Sequence, residues 1–140
     1  MRSARIGTSL PRAWIGRWTV AVAAVHTLFA GVALREPLTD IVERGVLDAV
    51  GTDPLSAATA WFVLFGCLLF VLGLAISALE RSTPSAVVPV GLGWAMLGIC
   101  ALGIVLMPIS GFYLLLVPAL AIFARRRAVA RTRRASAPAP

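Results

Sequence analysis

Charged residues interrupt this chain so seldom that the intervals between them define its architecture. From Ala57 to Leu79 the sequence reads AATAWFVLFGCLLFVLGLAISAL, 23 residues without a charge. As a helix rising about 1.5 Å per residue this stretch is roughly 34 Å long, enough for a hydrocarbon core of about 30 Å. A chain of 140 residues cannot hide that surface in water. In a bilayer a helix satisfies its own backbone N–H and C=O groups. A second interval, Trp18 to Leu34, is charge-free for 17 residues, at the short end for a span. A third, Ser82 to Ala124, is charge-free for 43 residues. As one helix it would reach about 64 Å, so it must fold back, and Pro108, Ser110 and Gly111 form the turn cluster near its middle. The pattern predicts an all-α bundle of four membrane helices at about residues 18–34, 57–79, 86–107 and 110–124. The last is short, and Pro118 inside it removes a backbone donor and is expected to kink it.

Between the first two spans, Leu38, Ile41, Val42, Val46, Ala49 and Val50 recur at helical spacing opposite Asp40, Glu43, Arg44 and Asp48. This predicts one short amphipathic helix over 37–50, with Pro37 in its first turn and Gly51 as its cap. Asp53-Pro54 reads as an N-cap followed by proline at the first helical position. Residues 80–85 read as a tight polar turn, and residues 1–17 as a basic flank in which Pro11 suits a helix start. Residues 125–140 read as a basic, disordered tail. A cleaved signal peptide is the rival reading of the first span, with Gly31 and Ala33 before the cleavage point. The apolar run exceeds the usual length of a signal core, and we read a retained helix.

Composition agrees with a membrane chain: 59% hydrophobic, 14% charged, mean hydropathy +0.91. All 13 basic residues are Arg, ten of them in the two terminal segments, while the 35–53 connection carries five acids and two Arg. The positive-inside bias then places both termini in the cytoplasm and the acidic connection outside, in a multi-pass protein of the plasma membrane. Trp14, Trp18 and Phe123 are expected at the inner interface, and Trp61, Phe62, Phe112 and Tyr113 at the outer one. So placed, the basic charge speaks for lipid rather than nucleic acid. Six Arg in the tail would attract anionic lipid, at about 1 kcal/mol per charge near the surface. Cys67 and Cys100 lie in apolar stretches and read as small packing residues.

Small residues mark the helix contacts expected in lipid. Gly66, Gly73 and Ser77 do so in the second span; Gly91, Gly93, Ala95, Gly98 and Gly103 do so in the third, which is expected to be central. They fit packing within the chain, a homo-oligomer or another membrane protein equally. His26 is the one ionisable side chain within the predicted spans. Such residues face the bundle interior and can mark function. We expect a neutral imidazole hydrogen-bonded to a neighbouring helix, with Trp94 at the same depth as its partner and a backbone carbonyl as the alternative; Gly91 or Gly73 would leave room for the ring. His26 and Trp94 are thus the candidate buried polar site. No catalytic, cofactor-binding or metal motif is present: no Ser–His–Asp set, HExxH, P-loop or dinucleotide fingerprint. The expected function is therefore non-enzymatic, structural or interactive, with no cofactor. The alternatives are a redox-associated subunit holding a quinone or haem near His26, and a transporter built by oligomerisation. The latter is disfavoured by the lack of a carboxylate within the spans.

The succession Trp14-Ile-Gly-Arg-Trp18, Val25-His-Thr-Leu-Phe-Ala-Gly31, Ala60-Trp-Phe-Val-Leu-Phe-Gly66 and Met107-Pro-Ile-Ser-Gly-Phe-Tyr-Leu114 resembles a family of small bacterial four-helix membrane proteins known only as a domain of unknown function. The resemblance covers roughly residues 12–124. Its most specific pieces are the His of the first helix, the Trp-Phe pair opening the second and the Pro-x-Ser-Gly-aromatic turn before the fourth. It implies four spans and no assigned activity. The layout is also similar to DoxX-like four-helix membrane proteins, some linked to redox systems, at the level of fold alone.

Overall fold

The computed structural model describes residues 14–82 and 88–135, apart from the side chains of residues 132 and 133. The described residues form five helices and no strand: α1 (Ile15–Ala33), α2 (Arg35–Glu43), α3 (Pro54–Ser82), α4 (Val90–Leu106) and α5 (Phe112–Ala135). Two of them, α1 and α3, are long and apolar enough to cross a membrane; α4 is apolar but has only 17 residues. The expected helix start at Pro11, the turn at 83–85 and the tail at 136–140 lie outside the described residues.

α3 begins as its sequence requires. Asp53 accepts from the backbone N–H of Ser56 at 2.8 Å and of Leu55 at 3.4 Å, with Pro54 at the first helical position, where a missing N–H costs nothing. The hydroxyl and N–H of Ser56 hold the Asp53 carboxyl below its ordinary value.

Three expectations are corrected. The amphipathic helix ends at Glu43 rather than Val50; its C-cap is Arg44, and the terminating glycine after it is Gly45, not Gly51. Gly45 takes φ +90, the Val46 N–H reaches the carbonyl of Ile41, and the Gly45 N–H reaches that of Val42, the paired bonds of a Schellman ending. Val46, Asp48 and Gly51 also have positive φ, so the chain winds irregularly into Asp53, and Val46 and Leu47 face outward. Second, the arginine segment is not a disordered tail up to Ala135. It continues α5 as helix through Arg125, Arg126 and Arg127 and onward, because Arg and Ala are good helix formers and nothing there breaks the ladder. Third, α4 is not central. Among the described helices its backbone approaches only α5, while α1 packs on α3 and, less extensively, on α5.

Small residues on α1 and α3 explain that order. A Cβ on Gly73 would sit 2.7 Å from Val20 Cγ2 and 2.8 Å from its backbone nitrogen, and one on Gly16 would overlap Ser77. The two backbones therefore meet directly, as small residues permit. On α4, by contrast, Gly93 lies under Phe123 and Ile122 and Gly103 under Phe112, whereas Gly91 and Gly98 face open space. One buried cluster joins Ile15, Ile76, Met96, Ala119 and Ile122; the other joins Val22, Ala23, Leu69, Cys100 and Leu115.

Candidate functional site

His26 falls on the inward stripe of α1 formed by Ile15, Thr19, Val22, Ala23 and Ala30, and its ring enters the seam with α3. Gly66 makes that entry possible, since a Cβ there would meet His26 Cδ2 at 3.1 Å and Thr27 Oγ1 at 2.7 Å. The expected room at Gly91 or Gly73 is thus provided by Gly66. The imidazole Nε2 lies 2.9 Å from the Phe62 carbonyl oxygen. A carbonyl only accepts, so Nε2 carries the proton and donates, and in the neutral ring Nδ1 keeps a free lone pair. The ring stacks on Phe62 with centroids 3.9 Å apart and meets Phe65 edge-on at 5.5 Å.

The pairing of His26 with Trp94 does not form. Trp94 lies on the outward face of α4, largely exposed, with its ring edge-on to Phe123 at 5.0 Å. Equal depth along the helices was not sufficient: Trp94 is one residue, about 100°, from the inward stripe of Gly93, Met96, Cys100 and Gly103, and the α4 backbone does not approach that of α1. His26 is instead held by a backbone carbonyl.

Beside His26 is a cavity of about 500 Å³ between α1, α3 and the α4–α5 connection. Val22, Val25 and Phe29 line it from α1 and Phe62 from α3, while Ser110, Gly111 and Phe112 close it. The Ser110 hydroxyl is buried and has no hydrogen-bond partner among the described residues. Three separated stretches therefore meet here: the histidine of α1, Phe62 of the Trp-Phe pair near the start of α3, and the Ser-Gly-aromatic end of the turn before α5. The site is an apolar pocket with one imidazole and one unpaired hydroxyl at its edge, a composition suited to holding an apolar molecule by one polar group.

Two further polar contacts fix the frame, and neither was foreseen. The Trp18 indole N–H donates to the Leu114 carbonyl at 3.0 Å. Leu114 lies four residues before Pro118, so its carbonyl is the one that proline leaves without a helical donor. At the other end, Glu80 is not in a polar turn but in the last turns of α3, fully buried at its side chain. Its carboxylate accepts from the N–H of Gly16 at 2.9 Å and of Ile15 at 3.4 Å, two donors that the start of a helix leaves free, and pairs with Arg125. Glu80 continues the Gly66, Gly73, Ser77 face by one turn, a signal available in the sequence.

The model of a family of unknown function, DUF6463, matches residues 10–129. No curated protein and no solved structure matches the chain.

Proposed function

We propose, from the premise that this chain belongs to the family of unknown function DUF6463, that it is a four-span protein of the plasma membrane with both termini in the cytoplasm, acting by binding rather than by catalysis. One observation carries the membrane part. α1 and α3 each hold an apolar stretch of membrane-spanning length, yet only 33% and 28% of those stretches is buried. The core helix of a water-soluble domain would be mostly buried. Leu28, Val32, Trp61 and Leu68 point outward instead, and each would forgo about 1.5–3 kcal/mol of burial in water but none in acyl chains. α4 and the apolar part of α5 complete the spans, α5 crossing from the cavity end to the arginines. Its exposed Arg126, Arg127, Arg131 and Arg134 would then meet anionic headgroups.

A specific observation favours a second reading within this one, a subunit that holds an apolar ligand such as a quinone beside His26: the cavity lies there and nowhere near Trp94. A haem is less suited, because His26 is one ring stacked face-on against Phe62 and offers at most a single axial nitrogen. A transporter coupled through a carboxylate is also less suited, since Glu80 is occupied by Arg125 and two backbone donors. Washing membranes with alkaline carbonate and weighing the intact chain tests the first reading. Retention at full mass is expected; release, or loss of α1 by cleavage, contradicts it. An absorption spectrum and organic extract of the purified protein test the second. A co-purifying quinone or other apolar molecule supports it, and a Soret band would overturn the preference against haem.

A further inference from the structure

We infer that the cavity beside His26 selects apolar molecules headed by a hydroxyl, an alcohol or phenol, over those headed by a carbonyl or ether. This rests on the ligand-binding reading above and narrows it: of a quinone couple, the reduced, hydroxyl-headed quinol is the form that fits, not the carbonyl-headed quinone. The imidazole has two edges. The Cδ2–Nε2 edge faces α3: Cδ2 lies over Gly66, and Nε2 bonds the Phe62 carbonyl. One ring face is covered by Phe62. The Cε1–Nδ1 edge is turned away from α3, and no described residue bonds to Nδ1. Because Phe62 fixes the proton on Nε2, Nδ1 of the neutral ring is an acceptor only. A ligand carbonyl or ether oxygen can also only accept, so it would face a lone pair. A hydroxyl donates to it. Of the other lining side chains, Val22, Val25, Phe29 and Leu115 are apolar, and Ser110 can turn its hydroxyl to donate to or accept from either head group, so the discrimination falls to Nδ1. The volume of about 500 Å³ lies within the usual range for small-molecule sites and admits an alkylated ring.

The probes are 4-heptylphenol and 4-heptylanisole, which share a skeleton and differ in the O–H, titrated into the detergent-purified full chain at matched micellar mole fraction. Binding of the phenol about five- to tenfold tighter is expected, the scale of one net hydrogen bond, and His26→Leu should abolish the difference while leaving both probes able to bind. Because His26→Leu also removes the bond to the Phe62 carbonyl, the ¹⁵N resonances of His26 in the unaltered protein provide an independent reading: Nδ1 should move with phenol and not with anisole. Equal binding of both probes, or a Nδ1 resonance unmoved by phenol, overturns the head-group inference while leaving the ligand-binding reading intact. Tighter binding of the anisole overturns the proton assignment on which the inference stands. Failure of both probes to bind at all overturns the ligand-binding reading itself, and the inference with it.

Discussion

Replacing Trp18 with Phe removes one N–H and keeps an aromatic ring in place. If the Trp18 indole stands in for the donor that Pro118 lacks, the cost of W18F must depend on whether residue 118 is proline. The bond is 3.0 Å long and joins neutral groups. A neutral hydrogen bond contributes about 1 kcal/mol net, and bonds between membrane helices average about 0.6 kcal/mol with a maximum near 1.7. We therefore expect W18F to cost about 1–2 kcal/mol, part of it lost ring contact. Pro118→Ala restores an N–H at position 118, which closes the helical bond to Leu114 O. In that background W18F should cost about 0.5–1.5 kcal/mol less, because the carbonyl is no longer left without a donor. The assay is reversible unfolding in mixed micelles of the four proteins of the cycle. Ring contacts cancel between the two arms, so the coupling isolates the N–H. Costs for W18F that agree within about 0.3 kcal/mol in both backgrounds would refute the pairing, since independent sites add to that tolerance.

Arg125→Ala should destabilise by about 3 kcal/mol in the same assay, the scale of leaving one member of a buried pair uncompensated, and Glu80→Gln combined with it should recover part of the loss. Gly73→Ala should cost about 1–3 kcal/mol by forcing Val20 and α3 apart, while Gly98→Ala, with open space around it, should leave the midpoint unchanged or slightly raised. Asp53 is held below its ordinary value by Ser56, so its capping contribution is complete above the unfolded value of about 3.9 and disappears as pH falls through the lower folded value. The stability difference between the unaltered protein and Asp53→Asn should accordingly be constant at neutral pH and change only under acid conditions, read from thermal midpoints across pH.

Which of these features could be read beforehand follows from how local each one is. Asp53 and Pro54 act on the three residues after them, so the start of α3 was evident from four letters. The seam of α1 on α3 was half evident: Gly73 and Ser77 announced a close contact, but not that its partner was Gly16. Trp94 failed because depth along a helix says nothing of which neighbours surround it. Glycines were equally ambiguous on α4, where Gly93 and Gly103 receive aromatic rings and Gly91 and Gly98 receive nothing. Glu80 was hidden by its neighbours Arg81 and Ser82, which made it look like part of a solvated turn, although its spacing from Gly73 and Ser77 put it on the packed face. The Trp18 contact needed two facts from opposite ends of the chain, a proline that frees a carbonyl and an indole that reaches it. His26 is the intermediate case: its inward orientation followed from its being the one ionisable side chain within the predicted spans, and its carbonyl partner was the alternative rather than the first expectation.

The central claim is a chain that crosses the membrane four times and returns its arginines to the cytoplasm. It is tested most directly by paired topology reporters in living cells, one inserted at Gly45 in the α2–α3 connection and one fused after Arg134. The account predicts an externally active reporter at Gly45 and a cytoplasmic one after Arg134. Both reporters active on the same side of the membrane would contradict it.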